Sequence, residues 1–261
     1  MEKLKSYIKK NIKKPLFRLC YELFALKKLD NLKFMNYGLV LDEKLELKKE
    51  DEKERLQLQL YYYLTKSVHL ENKTILEIGC GRGGGSNFIA EYKNPKKIVG
   101  IDITKGNIKI CNNYFSKPNL SYLQGDAENL TFPESSFDVV LNVESSHCYP
   151  NMDKFLNGVH KVLKNDGHFV FCDVRTPQEF KDLETLFTTC NFTIHYQENI
   201  TKQILNSLQK DNERKLKLIK ENYPYFQQFV LNFAFIEGSE NYINLSTGVT
   251  QYKMYILQKH H

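Results

Sequence analysis

Short apolar runs alternate with longer amphipathic or polar segments through the middle of the chain. Five runs rich in β-branched residues lie at 74–79, 98–103, 120–124, 138–143 and 168–174. Strands that alternate with helical segments are typical of a parallel sheet with helices on both faces. The pattern therefore predicts an α/β fold built on a mostly parallel sheet.

Two further strands are predicted at 191–198 and 250–258, which gives the sheet seven strands in all. The turn Lys164-Asn165-Asp166-Gly167 is expected just before the fifth strand, because Asn, Asp and Gly favour turns. Residues 199–249 are too many for a structureless loop in a compact domain. We therefore predict a helical insertion there, whose aromatic residues form either a lid over an apolar cavity or the insertion's own core.

The first seventy residues are predicted to be a helical leader, with a basic first segment, a second helix near 17–32 and a third from about 50 to 67. Apolar residues recur at four-residue spacing among the lysines of the first segment. This fits either a solvated helix or one that rests on an anionic membrane surface. The predicted organisation is a leader (1–70), a core (71–198), the insertion (199–249), and a final strand with its tail (250–261).

The formal net charge of +6 is concentrated in the leader. A nucleic-acid surface needs basic and aromatic residues interleaved around the binding cleft, so no nucleic-acid partner is expected. Arg18 and Glu22 interrupt the apolar run at 16–26, which argues against a secretory signal and against a membrane span. Six cysteines without a C-x-x-C pair fit reduced thiols and no metal site, so we expect a cytoplasmic protein.

Candidate chemistry begins where the first strand runs into a glycine-rich turn, with Glu77 two positions before the first glycine. Gly79, Gly81 and Gly84 fit the dinucleotide spacing G-x-G-x-x-G, in which a pyrophosphate lies on a helix N-terminus. Gly79, Gly81 and Gly83 equally fit the E-x-G-x-G-x-G pattern of S-adenosylmethionine (SAM) sites. The glycines alone leave both cofactors open.

Charge and loop chemistry favour SAM. Glu77 is expected to face the cleft, where a carboxylate would repel a pyrophosphate but accept a hydrogen bond from the amino group of a methionine moiety. Asp102, at the end of the second strand, can accept from ribose hydroxyls in either kind of site. After the third strand, Asp126 can accept from an adenine amino group while the N–H of Ala127 donates to a ring nitrogen. With these features, residues 74–174 resemble the class I SAM-dependent methyltransferases, which implies a Rossmann-like fold.

A closer resemblance extends over residues 34–258. It rests on Phe34-Met35-Asn36-Tyr37-Gly38, Asn142-Val143-Glu144-Ser145-Ser146-His147-Cys148-Tyr149-Pro150, Cys172-Asp173-Val174-Arg175 and Tyr252-Lys253-Met254-Tyr255. These stretches resemble the phthiotriolone/phenolphthiotriolone dimycocerosates methyltransferase family, whose members methylate a hydroxyl on a long lipid. The lysine-rich leader and Asn165-Asp166-Gly167 depart from the pattern of that family. The resemblance implies the reaction class and leaves the acceptor open.

An alcohol has a pKa far above neutral, so methyl transfer to it benefits from a positioned general base. His147 follows the fourth strand at the carboxyl edge of the sheet, where ligands bind in such folds, and its ordinary pKa of about 6.5 suits that task. Asp173 ends the fifth strand, and adjacent strands would bring its carboxylate toward His147. The arrangement is similar to the His/Asp pair of sugar O-methyltransferases of this fold. We therefore predict that His147 and Asp173 are catalytic.

The sequence thus favours a SAM-dependent methyltransferase that acts on a hydroxyl of an apolar, lipid-like or polyketide-like molecule, with possible peripheral membrane contact through the leader. Two alternatives stay open. One is a C-methyltransferase on a sterol-like or quinone-like acceptor with Glu144 as base, and the other is a SAM-binding or membrane-surface protein without catalysis. The residues predicted to hold the cofactor are Tyr37, Glu77, Gly79, Gly81, Asp102, Ile103, Asp126, Ala127 and Asn142.

Overall fold

The computed structural model describes residues 32–223 and 227–260. The first predicted helix, its proposed contact with a membrane surface, and all but Leu32 of the second predicted helix lie outside the described residues. The strands are β1 (Thr74–Ile78), β2 (Lys97–Asp102), β3 (Leu120–Gln124), β4 (Phe137–Val143), β5 (Leu163–Arg175), β6 (Phe192–Asn199) and β7 (Gln251–Lys259).

Nine α-helices are found within the described residues. They are α1 (Arg55–Thr65), α2 (Gly84–Tyr92), α3 (Lys105–Tyr114), α4 (Met152–Val162), α5 (Pro177–Thr189), α6 (Thr201–Lys210), α7 (Asn212–Asn222), α8 (Gln227–Phe233) and α9 (Glu240–Ser246). Short 3₁₀ segments precede α1 at Lys49–Glu54 and follow β4 at Ser146–Cys148.

The strands form one sheet in the order β3-β2-β1-β4-β5-β7-β6. Strands β1 to β5 pair in parallel, while β7 runs antiparallel to both β5 and β6. The carboxyl ends of β1 to β5 therefore meet at one edge. The strand order reverses between β1 and β4, which is the place where open α/β sheets bind ligands.

The seven predicted strands are confirmed, and their ends agree to within one residue except at the start of β5. That strand begins five residues early, at Leu163, because Leu163 is buried and pairs with Phe137 of β4. The turn expected at 164–167 lies inside the strand as an irregularity in register, with Asp166 at φ +59°. The boundary placed after that turn was therefore wrong: the turn-forming residues make a bulge without ending the strand pairing.

The predicted helical insertion between β6 and β7 is present as α6 to α9. Helix α6 buries Ile204 and Leu208 in the core cluster that also contains residues of the sheet. Helices α7 and α8 meet through Ile219 and Val230 in a separate small cluster. The insertion is thus joined to the core through α6 and α9, while α7 and α8 form a small cluster of their own.

The central strands are buried on both sides. In β1, Ile75 belongs to one core cluster and Leu76 to the other, as expected when successive side chains point to opposite faces. Burial of each such aliphatic side chain contributes about 1.5–3 kcal/mol to folding. Among the described helices, none combines the length and the apolar character that a membrane crossing requires.

Candidate active site

The glycine turn (residues 79–85) carries the end of β1 into α2. Gly79 and Gly81 have φ values of +74° and +52°, in the left-handed region that favours glycine. A Cβ on Gly79 would collide with Ser145, so the backbone is closely covered there. A Cβ on Gly81 would approach only the side chain of Met35, at 3.4 Å. Gly81 therefore faces open space.

This space is a cavity of about 1130 Å³, its mouth included, at the carboxyl ends of the central strands. We refer to it as the main cavity. The structure brings together around it seven of the nine residues predicted to hold the cofactor. They are Tyr37, Gly79, Gly81, Asp102, Ile103, Asp126 and Ala127.

Asp102 is held beside the glycine turn by backbone donors. Its Oδ2 accepts from the N–H of Gly81 at 3.0 Å, and its Oδ1 accepts from the N–H of Thr104 at 2.8 Å. Burial raises the pKa of Asp102, although these hydrogen bonds oppose the rise. Oδ1 also lies 3.4 Å from Nδ2 of Asn107, so Oδ2 is the oxygen that keeps a lone pair to accept from a ribose hydroxyl at the cavity wall.

Glu77 does not face the cleft, which corrects the expectation from the sequence. Its side chain is fully buried, because α1 and α2 pack over it. The hydroxyl of Tyr61 donates to Oε1 at 2.6 Å, and the hydroxyl of Ser86 donates to Oε2. Burial raises the pKa of Glu77 to about 7 despite these hydrogen bonds. In this structure Glu77 ties the two helices to β1 and does not line the main cavity.

Asn142 is also placed behind the cavity wall, contrary to the expected contact with the cofactor. Its Nδ2 donates to the carbonyl of Ile78 at 2.9 Å and to the hydroxyl of Ser145 at 2.8 Å. The same nitrogen lies 3.1 Å from the hydroxyl of Tyr149. Asn142 therefore fixes the loop after β4 to the end of β1, because all of its amide donors point there.

His147 and Asp173 lie together as expected from their adjacent strands. The Nδ1 of His147 is 2.8 Å from Oδ1 of Asp173, and the backbone N–H of His147 donates to Oδ2 at 2.9 Å. The imidazole lines the main cavity, whereas the carboxylate is completely buried behind it. The 3₁₀ segment after β4 turns the chain so that both contacts form at once.

Further donors surround the Asp173 carboxylate. Oδ2 accepts from the Ser146 hydroxyl and lies 3.5 Å from Nη2 of Arg175, while Oδ1 accepts from the N–H of Val174 at 2.8 Å. Burial alone would raise the pKa of Asp173, but His147 and these donors lower it to about 2. Burial alone would lower the pKa of His147, but the Asp173 charge raises it well above its ordinary value of 6.5. The Asp173 carboxylate therefore stabilises the protonated form of the imidazole when His147 takes up a proton.

Glu144 is a second titratable group on the wall of the main cavity. Its backbone has φ +51°, and both of its carboxylate oxygens lie 3.2 Å from the N–H of Tyr37. Burial raises the pKa of Glu144 to about 7. The ring of Tyr37 packs against Phe235 of the insertion at 4.6 Å between centroids, and its hydroxyl donates to the carbonyl of Phe233 at 3.1 Å. Tyr37 therefore connects Glu144 to the insertion.

Four aromatic residues of the cavity wall were not among the site residues predicted from the sequence. They are Phe34, Tyr61 of α1, Tyr149 after the 3₁₀ segment, and Phe233 of α8. Phe34 lies three positions before Tyr37, Tyr149 follows His147 by two positions, and Phe233 belongs to the aromatic insertion, so the sequence carried a signal for each of these three. No local pattern indicates that Tyr61 reaches the cavity.

The residues around the main cavity fit SAM. Gly81 leaves room next to the backbone that a side chain would fill, and the carboxylates of Asp102 and Asp126 suit the hydroxyl and amino donors of an adenosine. Negative groups at the wall also favour a sulfonium cation. Bound there, SAM supplies an electrophilic methyl group.

Comparison with known proteins agrees with this fit. A family model described as a methyltransferase domain matches residues 69–223. The phthiotriol/phenolphthiotriol dimycocerosates methyltransferase of Mycobacterium leprae is 32% identical over 250 residues, which cover 94% of this chain and 93% of the relative. The fatty-acid O-methyltransferase of Mycolicibacterium smegmatis is 30% identical over 233 residues, which cover 88% and 84%.

A solved structure supports the fold. Geranyl diphosphate C-methyltransferase from Streptomyces coelicolor A3(2), in complex with Mg²⁺, geranyl diphosphate and S-adenosyl-L-homocysteine, superimposes with a TM-score of 0.68 at 14% identity. The likeness covers 93% of this chain and 98% of that one. At so low an identity it bears on the fold alone, whereas the family model and the curated relatives bear on the enzyme class. The chain belongs to the methyltransferase domain family, and it is a SAM-dependent methyltransferase with a Rossmann-like class I fold.

Proposed function

We propose that this methyltransferase transfers the methyl group of SAM to a hydroxyl of an apolar, lipid-like small molecule, with His147 as general base. The observation that carries the proposal is the contact of 2.8 Å between Nδ1 of His147 and Asp173 at the wall of the main cavity. Asp173 orients the imidazole, and Nε2 is then the nitrogen left to accept the proton of the acceptor hydroxyl.

Proton removal matters because an alcohol is a poor nucleophile while it keeps its proton. A positioned general base typically contributes about 10²- to 10⁴-fold to such a reaction. When His147 takes the proton, the buried carboxylate of Asp173 stabilises the imidazolium that forms. Asp173 itself stays ionised, because its pKa of about 2 lies far below neutral pH.

The wall of the main cavity favours an apolar acceptor. Beside the polar cofactor residues, it presents the side chains of Phe34, Met35, Val143, Tyr149 and Phe233. Burial of apolar acceptor surface there would displace water from the reacting groups, which strengthens the electrostatic interactions between them. Both curated relatives described above carry names that refer to long lipids or fatty acids, which supports the same class of acceptor.

The direct test is to incubate the purified protein with methyl-labelled SAM and fractionated lipid extract, and to identify the labelled product by mass. We expect label in an apolar product that carries a methyl ether. His147→Ala should lower turnover by about 10²-fold or more while SAM affinity changes little. His195→Ala is the matched control, because His195 is exposed on β6. Label confined to polar products, or full turnover in His147→Ala, would refute the proposal.

A second candidate is C-methylation, and the position of Glu144 favours it. Its carboxyl group lines the same cavity as His147, and its pKa of about 7 suits a base that removes a proton from carbon. Glu144→Gln and His147→Ala, made separately, distinguish the two reactions. O-methylation predicts that turnover depends mainly on His147, and C-methylation predicts that it depends mainly on Glu144.

A further inference from the structure

A second cavity of about 830 Å³, its mouth included, adjoins the main one. The two share the side chains of Phe34, Met35, Tyr37, Arg82 and Phe233, so they meet at the segment that precedes α1 and at the end of α8. The remaining wall of the second cavity comes largely from α7 and α8 of the insertion. The proposed function makes no use of this space.

The two cavities differ in charge. Asp102, Asp126 and Glu144 contribute carboxylates to the main cavity. Over the part of the chain that the structure describes, the second cavity is lined by Arg82, Arg214 and Lys215 and by no Asp or Glu. Its other walls are mostly apolar. Such a compartment suits a molecule that has both an anionic group and a hydrocarbon part.

Lys215 is the cation with the most remaining capacity to bind an anion. Arg214 pairs with Asp211, the residue just before α7, and Arg82 donates to the carbonyl of Leu32 at 3.0 Å. The Nζ of Lys215 lies 3.5 Å from one backbone carbonyl and 5.3 Å from the Tyr37 ring centroid, and it forms no salt bridge with a carboxylate of residues 32–223 or 227–260. Lys215 is half-buried, and a partly desolvated ammonium gains from an anionic partner.

The titration of Lys215 agrees with this geometry. Burial lowers its pKa to about 8, and the more distant charges of Asp211 and Glu144 offset the effect only in part. An anion in direct contact would restore the pKa, and the anion would gain the corresponding binding free energy.

We propose that the second cavity binds an anionic group of the methyl acceptor, a carboxylate or a phosphate, through the ammonium group of Lys215. This deepens the proposed function, on which it rests: the acceptor is an amphiphile whose reacting oxygen lies in the main cavity and whose anionic group lies beyond Tyr37. Leu218, Ile219 and Val230 line the apolar part of the second cavity and contact the hydrocarbon portion.

The test measures binding without methyl transfer, so that it is independent of the reaction. Decanoate, decyl phosphate and decanol are titrated calorimetrically into the protein saturated with S-adenosylhomocysteine. Lys215→Met keeps the aliphatic stem and removes the charge, while Lys215→Arg keeps the charge. Lys217→Met, on the exposed side of α7, is the matched control.

We expect Lys215→Met to weaken binding of at least one of the two anions by about tenfold or more, with decanol unaffected, because a charge-assisted contact is lost. Lys215→Arg and Lys217→Met should retain the preference for the anion. If decanoate loses more affinity than decyl phosphate, the anionic group of the acceptor is a carboxylate, and the reverse indicates a phosphate.

Equal weakening of the binding of both anions and of decanol, or no weakening at all, overturns the inference. So does a loss that appears only in cofactor affinity, because Lys215 would then serve the methionine carboxylate. If His147→Ala keeps full turnover while the anion preference remains, the proposed function fails and this inference stands.

Discussion

Replacement of Asp173 by asparagine tests the His147–Asp173 pair most sharply. The change keeps the shape of the side chain but replaces one carboxylate oxygen, which accepts hydrogen bonds, by an NH₂ group, which can only donate them. Asp173 accepts from His147, Ser146 and Val174 and also lies near Arg175, so every one of these neighbours presents a donor. One orientation of the amide can satisfy some of them, but its NH₂ group must then face other donors.

The magnitude follows from the pKa of the carboxyl group. A fall from 3.8 to about 2 on folding corresponds to roughly 2.5 kcal/mol of stability from the ionised form. Because the folded-state pKa is the lower one, this contribution is fully present above pH 3.8 and is lost as the pH falls through about 2. Donors left facing the amide add to the loss, and a broken buried ion pair typically costs about 3–5 kcal/mol. We expect Asp173→Asn to destabilise the protein at pH 7 by about that amount.

Catalysis should respond in a way that stability alone would not produce. In the native protein the Asp173 charge raises the pKa of His147, so if His147 is the base, the rising limb of kcat/KM should lie above pH 6.5. Without the Asp173 charge, burial lowers the pKa of His147, and the rising limb should move to lower pH. The plateau should fall by about 10²- to 10⁴-fold because the base is weaker and poorly oriented.

The assay combines urea unfolding at pH 7 with kcat/KM measured from pH 5.5 to about 9.5, at a temperature where both proteins are folded. Affinity for S-adenosylhomocysteine is measured alongside and should change little, because Asp173 does not line the main cavity. A lower plateau with an unmoved rising limb would show that His147 is not the titrating base. A variant as stable as the native protein would refute the account of the buried carboxylate.

Three further predictions concern the glycine turn, Asp102 at the end of β2, and Glu77 in β1. Gly79→Ala should destabilise the protein by about 2 kcal/mol or more through backbone strain and collision, whereas Gly158→Ala in α4, with its nearest neighbour at 3.5 Å, should be neutral or stabilising by about 0.5–1 kcal/mol. Equal effects in thermal unfolding would contradict this reading of the turn. Asp102→Asn should weaken S-adenosylhomocysteine binding about tenfold or more by calorimetry, with the exposed Asp182→Asn unchanged. Glu77 has a folded-state pKa of about 7 against 4.5, so its favourable contribution is complete below pH 4.5 and is lost as the pH rises through about 7. The unfolding free energy of the native protein minus that of Glu77→Gln should therefore fall by about 3 kcal/mol from pH 4.5 to 8, and a difference independent of pH would be the contrary result.

The misplaced residues show where reasoning from the sequence stops. Glu77 was expected in the cleft because it precedes the glycines, but its direction depends on Tyr61 and Ser86, which reach it from two helices. Asn142 ends β4 near the site, yet its donors turn toward Ile78 and Ser145. In both cases the position along the strand was right. The orientation was decided by partners that the local pattern does not reveal.

The sequence by itself determined the alternation of strands and helices, the glycine turn, and the acidic residues after β2 and β3. These features are encoded in the period and spacing of neighbouring residues, so they can be read without knowing how distant segments meet. It also placed His147 and Asp173 near each other, because adjacent parallel strands end at one edge. Only the tertiary structure decided that Glu77 is buried, that Tyr37 joins the loop after β4 to the insertion, and that Lys215 lies in a second cavity whose described wall contains no Asp or Glu. The contacts of Glu77 depend on the two helices that pack over it, and those of Tyr37 and Lys215 join residues far apart in the chain. Their geometry therefore arises only when separate elements pack together.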